Sequence, residues 1–272
     1  MYLTGRYNPS MKLQSALRAL VDVTVGQWGM VTTAQASALG VSRVALSRLA
    51  DAGHLERLAQ GVYKDAGAPM DQHDDLRAAW LSADPSRLAE QRLGDGTSGV
   101  VVASTSAARL YGVGDFWADR HEFVAPTRRQ SQRSSVRFRR RVLDGRDVTV
   151  VHGLPVMRIE RTLVDLLDDL ADQSLVADAL DDALKNHAVN RERLGELLAP
   201  LAERNGFKKA DGAGLLEKLL EGAGADVTSV ARRIARDPEL GARVVAEYDT
   251  VRQGTSAFSV GSSRRAPRPS GS

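Results

Sequence analysis

The chain of 272 residues contains no cysteine. That one absence excludes disulfide staples, thiolate zinc sites, iron–sulfur clusters and a cysteine nucleophile together. Also missing is any run of about 18 apolar residues, the length that a membrane-spanning helix requires. The opening MYLTGRYNPSMK has neither the basic start nor the apolar stretch of a secretory signal. A cytoplasmic protein without a membrane partner is therefore expected. Catalytic signatures are missing too. GDGTSG at 94–99 lacks the Lys and Ser/Thr of a phosphate loop, no G-x-S-x-G occurs, and the five histidines form no H-E-x-x-H. The expectation is a protein that is not an enzyme, with no catalytic residues, no cofactor and no metal.

What is present describes a globular chain long enough for two domains, 43% hydrophobic and 26% charged. The net charge of +3 is modest, but arginine is unevenly spread, and local charge is what a polyanion meets. Apolar residues at Leu13, Leu17, Leu20, Val21 and Val25 have the spacing of one helix face. Thr32 and Thr33 offer a cap for a second helix, Ala34 to Leu39, which Gly40 ends. Ser42 caps a third helix running to Asp51 or Ala52. Two short strands follow, Leu55 to Leu58 and Val62 to Lys64, joined at Gln60 and Gly61. Two helices, a glycine turn and a hairpin make a winged helix-turn-helix. Ala36 falls where the helices cross, and Leu39, Val41, Leu46 and Leu49 form the inward side. The outward side carries Ser42, Arg43, Ser47 and Arg48, whose guanidinium and hydroxyl groups suit base edges and phosphates. With Thr33, and with Arg57, Gln60 and Lys64 on the wing, they are the candidate DNA-binding residues. His54 and His73, as lone histidines, are read as ordinary surface or capping groups.

Helices are expected at Asp71 to Ala83 and Pro85 to Leu93. A strand, VVAS, follows the 94–99 loop. Further strands are His121 to Ala125, SSVRFRRRVL and DVTVVHGLPV, with Asp144 and Gly145 as a hairpin turn between the last two. From Ile159 the pattern is helical as far as Tyr248. The predicted fold class is α+β: a winged helix-turn-helix domain over 10–68, then a larger mixed domain over 69–250 with a small antiparallel sheet and a C-terminal helical bundle. Residues 251–272, rich in Ser, Gly, Pro and Arg, read as a disordered tail.

TRRQSQRSSVRFRRR, residues 127–141, holds seven arginines and no acid. Alternation along a strand sends Val136 and Phe138 to one face and Arg137, Arg139 and Arg141 to the other. With Arg128, Arg129 and Arg133 these form a candidate phosphate track, the other reading being a solvated loop and strand balanced by acids elsewhere. Glu160, Asp165, Asp168, Asp169, Asp172, Asp178, Asp181 and Asp182 make the next two helices acidic. Their leucines already account for a core face with a wet acidic side. That side would contact a basic partner or shield the protein's own arginines.

The order of LERLAQGVYKDAG, VVASTSAARLYGV, EFVAPTRR and VHGLPVMRIERTLVDLLDDL along the chain resembles the AbiEi antitoxins of bacterial type IV toxin–antitoxin systems, over roughly Gly26 to Glu221. The resemblance implies a winged domain that binds inverted repeats in its own promoter and a larger domain that counteracts a nucleotidyltransferase-like toxin, with or without a stable complex. No D…ExK arrangement is present, so an attached nuclease is not expected. Two other functions stay open on the residues alone. One is an effector-responsive winged-helix regulator without a toxin partner, the other an enzyme on nucleic acid using Asp165 and Asp168.

Overall fold

Ala16 and Leu20, four residues apart, turn one face of α1 (Leu13–Val25) into the core. The computed structural model describes residues 13–117, 119–131 and 133–259. Helix α2 (Thr33–Ala38) starts at a capping box. The Thr32 hydroxyl accepts from the Gln35 N–H at 3.1 Å, and the Gln35 side-chain oxygen accepts from the Thr32 N–H at 2.9 Å. Gly40 turns the chain at φ +79°, which a residue without Cβ adopts cheaply. Helix α3 (Arg43–Asp51) then begins under Ser42, whose Oγ accepts from the Ala45 N–H at 3.1 Å. Val31, Ala36, Val41, Leu46, Leu49 and Leu55 close the core over α1. Leu39 departs from its expected inward place. As the C-cap residue it lies beyond the helix crossing and is 40% exposed.

Strands β1 (Met30–Thr32), β2 (Leu55–Ala59) and β3 (Val62–Asp65) form an antiparallel sheet in the order β1-β3-β2. The wing turns at Gln60 and Gly61, and a register shift between Arg57 and Ala59 twists its outer strand.

Next come α4 (Asp74–Ala83), α5 (Ala89–Leu93), β4 (Val101–Val102) and α6 (Ser104–Tyr111), the last a helix not foreseen in STSAARLY. Its serines are structural anchors. Ser104 Oγ donates to Asp169 at 2.6 Å, and Ser106 Oγ accepts from the Glu122 N–H at 2.9 Å. Four more strands, β5 (His121–Ala125), β6 (Val136–Arg140), β7 (Val148–Val151) and β8 (Leu154–Met157), complete a second sheet ordered β6-β5-β4-β8-β7.

The α+β class holds, and this sheet is mixed. The β4–β5 and β7–β8 pairs are antiparallel, β4–β8 is parallel, and β6 lies parallel to β5 from His121↔Val136 to Ala125↔Arg140. The expected hairpin at Asp144 and Gly145 is absent because β6 and β7 occupy opposite edges, and Asp144 caps a short 3-10 turn by accepting from the Arg146 N–H at 2.9 Å. The hairpin turns instead at His152 and Gly153, φ +49° and +81°, within the segment read as one strand.

The winged unit and this sheet share one core, in which Met30 and Val62 join Trp80, Leu81, Phe123 and Leu154. Trp28 lies edge-on to Trp80 at 6.3 Å and so close to Gly153 that a Cβ there would meet the indole at 2.9 Å. Beside them His73 packs on His152 with ring centres 4.6 Å apart, and Arg77 Nη2 donates to the His152 carbonyl at 3.2 Å. This packing fixes the wing relative to everything downstream.

Helices α7 (Ile159–Leu170), α8 (Gln173–Asn186), α9 (Arg191–Leu198) and α10 (Gly212–Gly222) bury leucines and valines around a third core, completed by Ala108 and Val113. Helix α11 (Val227–Arg236) buries no residue, and α12 (Pro238–Ser259) runs on into the stretch read as a disordered tail. Residues 10–12 of the expected winged domain and 260–272 of the tail lie outside the described residues. Among the described residues no helix is long and apolar enough to cross a membrane, and no group of three or more metal-ligating side chains converges.

Candidate nucleic-acid interface

Helix α3 presents one face outward because Leu46 and Leu49 are held in the core. Arg43, Ser47 and Arg48 are all exposed on it, with Ser42 half-buried at its start. The Ser42 hydroxyl spends its acceptor side on the helix cap, which leaves its hydrogen for a partner outside. Val44 lies among these residues, 56% exposed, and is absent from the residues expected on sequence grounds. Its place follows from the same 100° step per residue that sets Arg43, Ser47 and Arg48 outward, and an apolar side chain there suits a thymine methyl group.

The position of α2, the helix that leads into the turn before α3, is pinned from behind by a buried amide network. Gln27 Nε2 donates to Gln35 Oε1 at 2.8 Å and to the Met30 carbonyl at 3.0 Å, while Gln35 Nε2 donates to the Arg87 carbonyl at 2.9 Å. The Ala89 N–H donates to Gln27 Oε1 at 2.9 Å, and the Thr32 hydroxyl donates to the Pro85 carbonyl. Both glutamines are buried, so each of these bonds replaces water that is excluded, and losing one leaves an unsatisfied amide. The helix-turn-helix is thereby bonded to the segment between α4 and α5.

One wing residue must be withdrawn from the interface. Lys64 is 1% exposed, and its ammonium points inward to donate to Asp74 and to the Pro69 carbonyl. In β3 the alternation of faces puts Val62 and Lys64 inside together, so no phosphate reaches Lys64. Arg57 and Gln60 are exposed, and Thr33 is half-buried with its hydroxyl 3.4 Å from the Gly61 carbonyl.

The arginine-rich segment divides in two. In β6, Val136 and Phe138 turn to the core, where Phe138 stacks on Phe123 at 5.6 Å, and Arg137, Arg139 and Arg141 turn the other way as expected. Arg139 and Arg141 do not meet solvent as a phosphate track, because the acids of α7 cover them. Arg139 pairs with the fully buried Asp165 and with Asp169 at 2.6 Å. Arg141 pairs with Asp165 at 2.9 Å and Asp168 at 3.0 Å. Arg161 stands 3.5 Å from Asp165, and Arg204 closes the cluster on Asp168. Burial works to lower the Arg139 guanidinium, but Asp165 and Asp169 beside it outweigh this and hold it above its ordinary value. Burial also pushes the Asp165 carboxyl up to about 6, against the pull of Arg139 and Arg141. Arg137 pairs with Glu122 at 3.1 Å and stays about half exposed.

The other half, Arg128, Arg129 and Arg133, belongs to the connection between β5 and β6. Parallel pairing makes that connection run back along the sheet, and its return path crosses the end of α4 and the wing tip. Arg129 donates to the Ala83 carbonyl at 2.9 Å. Arg133 donates to Ser82 Oγ at 2.9 Å and to the Gln60 carbonyl at 2.7 Å. These anchors are uncharged, so both guanidiniums keep their positive charge unopposed. Arg128 is exposed. An open groove of about 680 Å³ results, with Thr33, Arg43, Arg57 and Gln60 on the winged side and Arg129 and Arg133 on the other. Among the described residues none of its four arginines pairs with a carboxylate.

A winged helix-turn-helix with a basic groove beside its second helix, joined to a mixed sheet and helical bundle, defines a regulator fold. Residues 18–63 match the family model described as a transcriptional regulator, AbiEi antitoxin, and residues 99–218 match the AbiEi antitoxin C-terminal domain. The chain belongs to the AbiEi antitoxin family. No curated protein matches it.

Proposed function

We propose that this antitoxin is also the repressor of its own operon. It binds inverted repeats in promoter DNA through α3 and the wing and counteracts a nucleotidyltransferase-like toxin through the part of the chain that follows the wing. The groove carries the DNA reading. Four arginines line it that have no acid partner among the described residues, Arg43 on α3, Arg57 on the wing and two from the β5–β6 connection, and they offer their charge to a phosphate backbone. Arg43, Val44, Ser47 and Arg48 read base edges, while Arg57, Arg129 and Arg133 hold phosphates. The toxin half of the reading rests on the C-terminal family match.

Titration of the protein's own promoter fragment at two salt concentrations tests the first half. Sequence-specific binding that weakens steeply with salt is expected, and binding no tighter than to unrelated DNA would remove it. Co-expression with the neighbouring toxin gene tests the second half. Growth should be restored, and persistent toxicity would defeat the antitoxin assignment to that pair whatever the DNA data show.

A further inference from the structure

We propose that Ser131 is a phosphorylation site whose phosphate is held by the arginines of the wing groove and closes that groove to DNA. Ser131 lines the groove together with Arg43, Arg57, Arg129 and Arg133. It is exposed, and its Oγ accepts from the Arg133 N–H at 3.0 Å. The hydroxyl hydrogen has no acceptor among the described residues. The four arginines have no carboxylate among them either, so the serine stands in a set of guanidiniums that lacks an anion.

The residues before Ser131 point to the class of enzyme that modifies it. Arg128 and Arg129 stand three and two positions ahead, and nowhere else in the chain do two arginines precede a serine or threonine at that spacing. Ser134 has neither, and Ser135 has only Arg133. A basophilic serine kinase reads such arginines with carboxylates of its own cleft, and no acid lies between 127 and 141 to oppose it. Residues 127–131 belong to no helix or strand, and among the described residues no backbone–backbone hydrogen bond ties them down. Arg128 is exposed, and Arg129 is held through its bond to the Ala83 carbonyl. The segment therefore enters a kinase cleft without breaking a sheet ladder. There the Ser131 oxygen attacks the γ-phosphorus of ATP, the bond from that phosphorus to ADP breaks, and the hydroxyl proton passes to the kinase's catalytic carboxylate.

The product carries close to two negative charges near pH 7 and three strong acceptor oxygens. Arg129 and Arg133 lie two residues to either side of it, and Arg43 and Arg57 line the winged side of the same groove. Capture of the phosphate by these guanidiniums does not depend on DNA. Its consequence does rest on the DNA reading: a phosphate already in the groove occupies the arginines and repels an incoming strand.

The test treats the full chain with ATP and the catalytic subunit of cyclic-AMP-dependent protein kinase, a probe that selects two arginines ahead of a serine. Peptide mass spectrometry should place the phosphate on Ser131, and the Ser131→Ala chain should take up none in this segment. No phosphate, or phosphate at other positions only, would overturn the site. Phosphorus NMR of the modified chain then follows the second ionisation of the phosphate. It should lie about one pH unit lower in the folded chain than in urea, with a smaller gap when Arg43→Ala and Arg57→Ala are combined. Equal values folded and unfolded would defeat capture by the groove, whether or not the protein binds DNA. In promoter titrations, modification should weaken binding about tenfold and make the salt slope shallower by about two units. Specific promoter binding left unchanged by the phosphate would refute the closure. A parent chain that never prefers its promoter would instead sink the DNA reading, with the site and its capture still supported by the first two measurements.

Discussion

Two groups of arginines, fewer than fifteen residues apart in sequence, meet opposite fates. Arg139 and Arg141 on β6 are locked against Asp165, Asp168 and Asp169 of α7, while Arg129 and Arg133 on the preceding connection bond only to uncharged oxygens. Density of positive charge in a sequence therefore does not locate a polyanion site. What locates it is whether the fold brings carboxylates to the same face. The strand arginines anchor an edge strand to a helix, and the connection arginines sit at the wing with charge to spare.

The largest effect expected from this contrast is on stability. Arg139→Ala would leave the fully buried Asp165 with Arg141 and Arg161 alone, a loss of about 3 kcal/mol by urea or thermal unfolding. The sign of its pH dependence follows from Asp165. A carboxyl whose folded-state value lies above the ordinary 3.8, already at about 6 in the intact protein, binds its proton more tightly when folded. The deficit of Arg139→Ala should therefore shrink as pH falls through about 6 and grow above it. Promoter affinity of the folded variant should be unchanged. An unfolding curve like that of the parent chain, or a loss of DNA binding without loss of stability, would break the distinction between the two groups.

On α3 the expected loss is in recognition. Arg43→Ala should cost roughly 1 to 3 kcal/mol of promoter affinity and relax discrimination among operator variants, because a guanidinium fork on a base edge carries sequence information. Anisotropy titrations against single-base operator variants measure both. Uniform weakening across all variants would move Arg43 to the phosphate group.

This region is also the most legible in the sequence, for a physical reason. Thr32, Gly40, Ser42 and Gly61 act through their own backbone and a neighbour or two, so the cap, the turn, the second cap and the wing turn can be read from a handful of residues. Sequence misleads where distant partners decide. Lys64 looks like a wing cation until β3 alternation and Asp74 bury it. Nothing local in VRFRRR says that α7 will neutralise Arg139 and Arg141. The parallel course of β6 depends on β5 and on the length of the connection, neither of which alternation reports. The serines of STSAARLY have the look of a motif, and the structure shows them tying α6 to Asp169 and Glu122.

The smallest expected effect discriminates most sharply between the two arginine groups. Arg129→Ala with Arg133→Ala should leave base preference intact and make the dependence of log K on log salt shallower by about two units, one for each phosphate no longer neutralised. At low salt the affinity falls, and toward high salt the variant and parent curves converge, because fewer counterions are released on binding. Each side chain bonds only to carbonyl or hydroxyl oxygens, so removing it strands no buried charge, and unfolding should be within about 1 kcal/mol of the parent. Arg139→Ala is its mirror: a large change in unfolding and none in salt slope. If the two variants exchanged signatures, the charge of the connection would be structural and the phosphate-binding role proposed for the groove would fall, whereas matching slopes for parent and double variant would confine the proposed DNA contact to α3 and the wing.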